Sequence, residues 1–535
     1  MLTFIVLFFS SVVAIQSERL HDRMTDEEIQ SVFHVPRDQV PDYEVVPIQT
    51  LLRKNNERAD RITMIMSNEH IDAYLDPTEG FLVGETTPVL LAKPNKKFAS
   101  GVEYIPVKNA LENVMLYKNP ADRMNLVVKK QLNRFNIYGK IKDYVIRPIP
   151  RRLKPESAGL LGILFGDPQN QILRFGSSYG NDSINELHHI VYSAASLKVD
   201  HPQNSTVPSN PMQRSPRASR ESIVPSVIFP EVLVVMDNSL FKTQGNDVSS
   251  AILYLLSFWN AVDLRYRSMS DPKIRLNIAG LIISVEEGGT PYIDNYKFNS
   301  TDESIQVEAD KALKHMSKYF YNESNLPNYD ASIAMTGSDL CNMIDSPFFE
   351  NFCNSETRGY AYLAGACNRS SVDQNTKAVG LIEDNGGFSG IIPAAHELAH
   401  LLGVPHDEGE CASGRYIMTP QIQHSENSFL WSDCSKEAFR EFFSSEDGTC
   451  LLNEPKAVRK AMRILPGTVQ SLDQQCEKIY GRGVTKACQD DNICRSLQCQ
   501  VPGRQFCRGI AAAAEGSICA PGKRCISGFC VSLQI

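Results

Sequence analysis

Two kinds of apolar block alternate along the middle of the chain. "IFPEVLVVMDNSL" (228–240) and "IRLNIAGLIISVEE" (274–287) are near-continuous apolar runs, the pattern of strands buried on both faces. Between them "DVSSAILYLLSFWNAVDLRYRSM" (247–269) reads as an amphipathic helix, and after the second run "SIQVEADKALKHMSKYFY" (304–321) reads as helical again. "ASIAMTGSDL" (331–340) is strand-like, and "AVGLIEDNGGFSG" (378–390) reads as a strand running into a Gly-rich turn. Helices and strands in alternation predict an α/β layer structure.

On either side of this segment the pattern changes. Residues 18 to 200 carry strand-like and helix-like patches ("FLVGETTPVLLA", "LLGILFG", "ELHHIVYSAASL") and no cysteine. Residues 201–226, "HPQNSTVPSNPMQRSPRASRESIVPS", lack apolar periodicity and are rich in Pro, Ser, Asn and Arg, which predicts an exposed linker. Arg214, Arg217 and Arg220 stand there at three-residue intervals, two overlapping R-x-x-R sites of the kind that secretory convertases cut. The expected cuts follow Arg217 and Arg220. Beyond Cys450 a short bridge leads to a cysteine-dense tail of about 60 residues, too small for a good core and dependent on disulfides. The amino terminus, "MLTFIVLFFSSVVAIQS", has the apolar block and small residues of a secretory signal and is too short to span a membrane. The expected organisation is a signal over 1–17, an amino-terminal segment over 18–220, a catalytic α/β domain over 225–455 and a disulfide-rich module over 471–535.

Composition narrows the class. A formal net charge of −8 over 535 residues leaves no basic footprint for nucleic acid, and no later segment is long and apolar enough to cross a membrane. All 14 cysteines lie at or after Cys341, and sequons occur at Asn181, Asn204, Asn299, Asn322 and Asn368. With the signal, they predict a secreted, extracellular glycoprotein with disulfide bonds.

The candidate chemistry lies in "AHELAHLLGVPHDEG" (395–409). Its five fixed letters, HExxHxxGxxH, would arise by chance roughly once in 10^5 such chains. A helix from about Ile392 to Gly403 puts His396 and His400 at i and i+4 on one face, with Ala395, Ala399 and Leu402 facing the core. Gly403 turns the chain so that His406 can join them. Three nitrogen ligands leave one tetrahedral position open, the mark of a catalytic zinc site. Glu397 stands beside the first ligand, in position to act as general base toward a zinc-bound water. Met418, in "GRYIMTPQ", completes the elongated motif with a Met-turn.

On these residues the chain resembles the reprolysins, the adamalysin branch of the metzincins, and within them the secreted ADAMTS-like enzymes and the arthropod salivary and venom metalloproteases. The matching stretches are "HELAHLLGVPHD", "YIM", "MTGSDLC", "GACNRS" and "PEVLVVMDNSL", with "AAAEGSICAPGKRCISGFC" in the tail. The resemblance implies a metzincin fold with a mixed sheet and an active-site helix, preceded by a prodomain and followed by a cysteine-rich, disintegrin-like module. It implies a zymogen and a zinc metalloendopeptidase with one Zn2+ per catalytic domain, acting on extracellular matrix or plasma proteins. It also admits a structural Ca2+, which no residue pattern assigns.

Counting alone leaves 15 pairings for the six cysteines up to Cys450 and 105 for the eight in the tail. The resemblance implies Cys367–Cys450 and Cys411–Cys434, and with them Cys341–Cys353. The chain departs from the family pattern in three ways. No thrombospondin-type repeat follows Cys530, no RGD occurs, and no cysteine before Cys341 could cap the zinc in a latent form. The competing expectation is a secreted disintegrin-like binding protein whose protease domain is mainly a scaffold.

Overall fold

The computed structural model describes residues 19–153, 183–193 and 224–532, except 34–36, 53–58, 67–68, 75–82, 84–86, 109, 112–113, 120–123, 132–133, 142–143, 300–304, 347–348, 355, 422–424, 455–464, 482–484, 489 and 521–522. The signal, Arg214, Arg217 and Arg220, and the sequons at Asn181 and Asn204 lie outside the described residues. The chain divides into two compact units, one drawn from Met1–Tyr74, Asn133–Tyr138 and Asp143–Lys198, the other from Leu75–Leu132, Gly139–Lys142 and Val199–Ile535.

The first unit is built on antiparallel strands. Tyr43–Leu52 pairs along its length with Ser183–Ser193 on one side and with Ala59–Ile65 on the other; Tyr144–Pro148 and His70–Tyr74 extend the sheet outward. The amphipathic helix Asp26–Phe33 covers a small core with Ile29, Phe33, Ile190 and Tyr192. His189 is fully buried and satisfied at both ring nitrogens: Nε2 accepts from the Ile137 amide at 2.8 Å, and Nδ1 lies 2.9 Å from the Leu187 carbonyl.

The second unit is organised by a seven-stranded sheet. Its strands are β1 (Val89–Pro94), β2 (Val102–Pro106), β3 (Glu231–Met236), β4 (Asn277–Ser284), β5 (Ala331–Thr336), β6 (Gly359–Ala361) and β7 (Val379–Glu383). The spatial order is β6-β7-β5-β3-β4-β1-β2, with the five inner strands parallel and both edge strands antiparallel. The sheet is mixed, as the resemblance implied. The continuous apolar runs are explained by burial on both faces. Along β3, Val232, Val234 and Met236 enter one core while Leu233 and Val235 enter the other. Helices α1 (Val248–Tyr266) and α3 (Ile391–Leu401) complete the first core, and α2 (Ala309–Asn322) the second. The predicted helix at 304–321 is helical only from Ala309, because Ile305–Glu308 forms a short strand.

Two strands of this sheet, β1 and β2, lie upstream of the Arg-rich linker. Helix α4 (Asp433–Phe443) closes the region, and α5 (Leu472–Tyr480) opens the tail. Seven disulfides are formed: Cys341–Cys353, Cys367–Cys450 and Cys411–Cys434 before the tail, and Cys476–Cys499, Cys488–Cys507, Cys494–Cys525 and Cys519–Cys530 within it. No bridge crosses between the two groups.

Candidate metal centre

Helix α3 carries the first two histidines. Its inner face, Ala394, Ala395, Leu398, Ala399 and Leu402, is fully buried, and the Tyr266 hydroxyl of α1 donates to the Ala395 carbonyl at 2.7 Å. Small residues at 394, 395 and 399 let α3 lie close to α1. The helix ends at Gly403, whose φ of +87° is the left-handed conformation that glycine adopts without strain. A Cβ there would also stand 2.5 Å from Phe442 Cγ. The turn carries the chain back, with the Val404 amide donating to the Ala399 carbonyl at 2.9 Å, and delivers His406 beside the helix.

The three imidazoles converge. His406 Nε2 lies 3.1 Å from both His396 Nε2 and His400 Nε2. Tetrahedral zinc with nitrogen bonds of 2.0–2.1 Å needs ligand nitrogens about 3.3 Å apart, so the donor set fits one ion. The other ring nitrogens are held by backbone carbonyls, His396 Nδ1 2.8 Å from Ile417 O and His400 Nδ1 2.8 Å from Val404 O. A carbonyl can only accept, so Nδ1 carries the proton and Nε2 presents its lone pair toward the common point. Burial lowers His396 to about 3 and His400 to about 4, and it lowers His406 as well, which keeps the imidazoles neutral near pH 7.

Glu397, next to His396 on α3, is buried, and desolvation pushes its carboxyl up to about 8; a cation at the three nitrogens would oppose that shift. Its neighbour is the edge strand β6. A Cβ built on Gly359 would come within 2.4 Å of Glu397 Cγ, so only glycine leaves the carboxylate its room. No sequence motif singles out Gly359; its role exists only through the contact between β6 and α3.

Met418 is fully buried in the turn beneath the histidines. That turn is tied on both sides: the Ile417 amide donates to Leu430 O at 3.0 Å, and the Asp407 amide donates to Met418 O at 2.9 Å. Asp407 is a positioning carboxylate. Its Oδ1 accepts from Ser432 Oγ at 2.5 Å and Ser435 Oγ at 3.2 Å, fixing the start of α4 against the segment that follows His406. The Cys411–Cys434 bridge spans the same segment. Trp431 adds a further brace, donating from Nε1 to Arg265 O at 3.0 Å and packing on Tyr266. Asn299, Asn322 and Asn368 are exposed, which leaves each open to modification. No described helix is long and apolar enough to cross a membrane.

Comparison with known proteins agrees with this geometry. Residues 301–455 match the reprolysin (M12B) family of zinc metalloproteases, and residues 466–531 match the ADAMTS cysteine-rich domain 2. The Bombyx mori protein named "A disintegrin and metalloproteinase with thrombospondin motifs like" is 32% identical over 512 residues, covering 88% of this chain and 72% of that one. A disintegrin and metalloproteinase with thrombospondin motifs 12 of Mus musculus is 30% identical over 335 residues, 60% of this chain but 19% of its own length. Venom metalloproteinase 3 of Eulophus pennicornis is 30% identical over 232 residues, 42% of this chain and 52% of that one. The chain belongs to the reprolysin (M12B) family of zinc metalloproteases, in its ADAMTS-like branch, and is a metalloendopeptidase.

Proposed function

We propose that this enzyme is secreted as a zymogen and hydrolyses peptide bonds of extracellular proteins, with His396, His400 and His406 holding the zinc and Glu397 as general base. The observation that carries the reading is the convergence of His396 Nε2 and His400 Nε2 on His406 Nε2, each at 3.1 Å, with the buried Glu397 next to His396 on the same helix. Zinc, when bound, supplies Lewis-acid polarisation and a water acidic enough to ionise near neutral pH. Glu397 takes the proton of the attacking water and passes it to the amine nitrogen of the leaving fragment. Gly359 gives the carboxylate space to do so, and the Ile417 and Val404 carbonyls keep His396 and His400 in the ligating tautomer. The Met418 turn fixes the floor. Cleavage after Arg217 or Arg220 in the linker would generate the mature amino terminus.

Glu397→Ala decides the mechanism. It should retain about one zinc per chain by elemental analysis and lose cleavage of a protein substrate such as casein by a factor of roughly 10^3, since base and acid are removed together. His400→Ala should lose metal and activity alike. Normal proteolysis by the Glu397 variant would sink the assignment.

A further inference from the structure

Strands β1 and β2 precede the Arg-rich linker in sequence yet complete the catalytic sheet. β1 runs parallel to β4 in the register Val89 to Leu281 through Ala92 to Ser284. The Leu281 amide donates to Pro88 O at 2.9 Å, and the Val285 amide donates to Ala92 O at 3.2 Å. β2 folds back on β1 through a tight turn in which the Asn95 amide donates to Gly101 O at 2.7 Å. The side chains continue the two-faced alternation of the sheet. Val83, Val89 and Leu111 enter the same core as α1 and α3, while Leu90, Ala92 and Val102 enter the core covered by α2.

The receiving surface is shaped for this pair. A Cβ on Gly289 would stand 2.8 Å from Ala92 O, and one on Gly280 would stand 3.3 Å from Pro88 Cγ. Each Cβ would meet its own region more closely still, Ser284 Oγ at 2.5 Å from Gly289 and Pro327 Cγ at 2.9 Å from Gly280, so β1 packs against positions that already require glycine. Polar contacts finish the fit: Tyr104 OH lies 2.9 Å from Tyr319 OH of α2, and Lys93 pairs with Glu286 at 2.8 Å. Without β1, the inner strand β4 would become a bare edge with unpaired main-chain groups flanked by apolar side chains, which folded proteins avoid.

We propose that β1 and β2 stay in the catalytic sheet after the linker is cut, so that the processed enzyme is two chains held together by strand addition. This rests on reading Arg214–Arg220 as the processing linker. The retention is separate from any block of the active site, because β1 and β2 sit at the edge opposite β6, the strand that packs on Glu397. Cutting the linker is therefore one event and losing the amino-terminal chain another.

The test uses the full chain with residues 214–220 replaced by the site of a sequence-specific protease, so that it does not depend on where the natural cut falls. After complete cutting, the two fragments should co-elute on size exclusion at the position of the uncut protein and separate only in denaturant. Elution of the amino-terminal fragment by itself in native buffer overturns the proposal. Val102→Asp should make that fragment dissociate at least tenfold faster after cutting, whereas Lys93→Ala should leave it bound; an unchanged rate for Val102→Asp removes the strand pair as the tether. If Val102→Asp does not fold, hydrogen exchange on the cut parent protein decides. Protected Leu281 and Val285 amides support retention, and exchange at the rate of exposed amides overturns it. Amino-terminal sequencing of naturally secreted protein separately tests the linker reading.

Discussion

The catalytic region at 224–454 and the tail at 465–532 are held together by different means. The first buries Tyr254, Phe258, Trp259, Tyr266, Phe320, Phe439 and Phe443 completely and uses three disulfides as reinforcement. In the tail the buried cluster consists of Cys476, Ile493, Cys494, Leu497, Cys499, Ala513 and Cys525, so its centre is largely disulfide sulfur. Short strands such as Gln498–Gln500 and Phe529–Ser532 could not hold their shape on the few aliphatic side chains beside them. The tail also leans on its neighbour. Ala514 is buried in the catalytic core, Gln470 donates to Gly386 O at 2.9 Å, and the buried guanidinium of Arg265 pairs with Glu515, which also accepts from the Ser527 amide. A module can be separate in its covalent links and still not be separate in its packing.

The largest effect should come from reduction. The four tail bridges close loops of 23, 19, 31 and 11 residues, together worth on the order of 10 kcal/mol in the chain-entropy model. Under mild reductant, hydrogen exchange should show the tail losing protection while amides of β3, β4 and β5 keep theirs. Simultaneous loss in both regions would erase the contrast.

Next in size is the paired substitution Cys367→Ser with Cys450→Ser. This bridge spans 83 residues and ties the end of the catalytic region to the strands before the zinc helix, so its removal should cost about 4.5 kcal/mol. Denaturant unfolding should show a lower midpoint with the native fold retained, since the aromatic core remains.

The coupling between the regions is tested by Arg265→Met, which strands a buried Glu515 carboxylate and should cost about 4 kcal/mol. Adding Glu515→Leu should recover most of it. If the single variant is as stable as the parent, the pair is not what joins the tail to α1.

Gly359→Ala concerns chemistry more than stability. The added methyl displaces Glu397, so kcat should fall about 30-fold, near 2 kcal/mol, with zinc content unchanged and the tail still protected. An unaltered kcat would mean that β6 gives way without disturbing the carboxylate. The smallest effect is expected from Ser471→Ala, which removes the capping box of α5: Ser471 Oγ accepts from the Gln474 amide at 3.2 Å, and Gln474 Oε1 accepts from the Ser471 amide at 2.9 Å. A loss of about 1 kcal/mol, read from tail exchange rates alone, fits a short helix in a thinly packed module.

Much of the candidate site was legible in the sequence because its rules are local. The i, i+4 spacing of His396 and His400 on a helix, the left-handed turn at Gly403 and the return of His406 span eleven residues, and backbone geometry dictates where such side chains point. The strand runs at 231–236 and 277–284 were equally readable, since burial on both faces demands continuous apolar residues. The strand preceding α2 was not, because "SIQVEA" carries no pattern that separates a short strand from the first turn of a helix.

By itself the sequence determined which three histidines meet, the alternation of helices and strands, and a tail that must be stapled. Three relations came only with the tertiary structure: the fit of Gly359 beneath Glu397, the Arg265–Glu515 pair across 250 residues, and the recruitment of Val89–Pro106 into a sheet whose other strands begin at Glu231. Each depends on surfaces that meet after the chain has collapsed. No periodicity or spacing records which distant glycine must stay small, or which strand will cover an open edge.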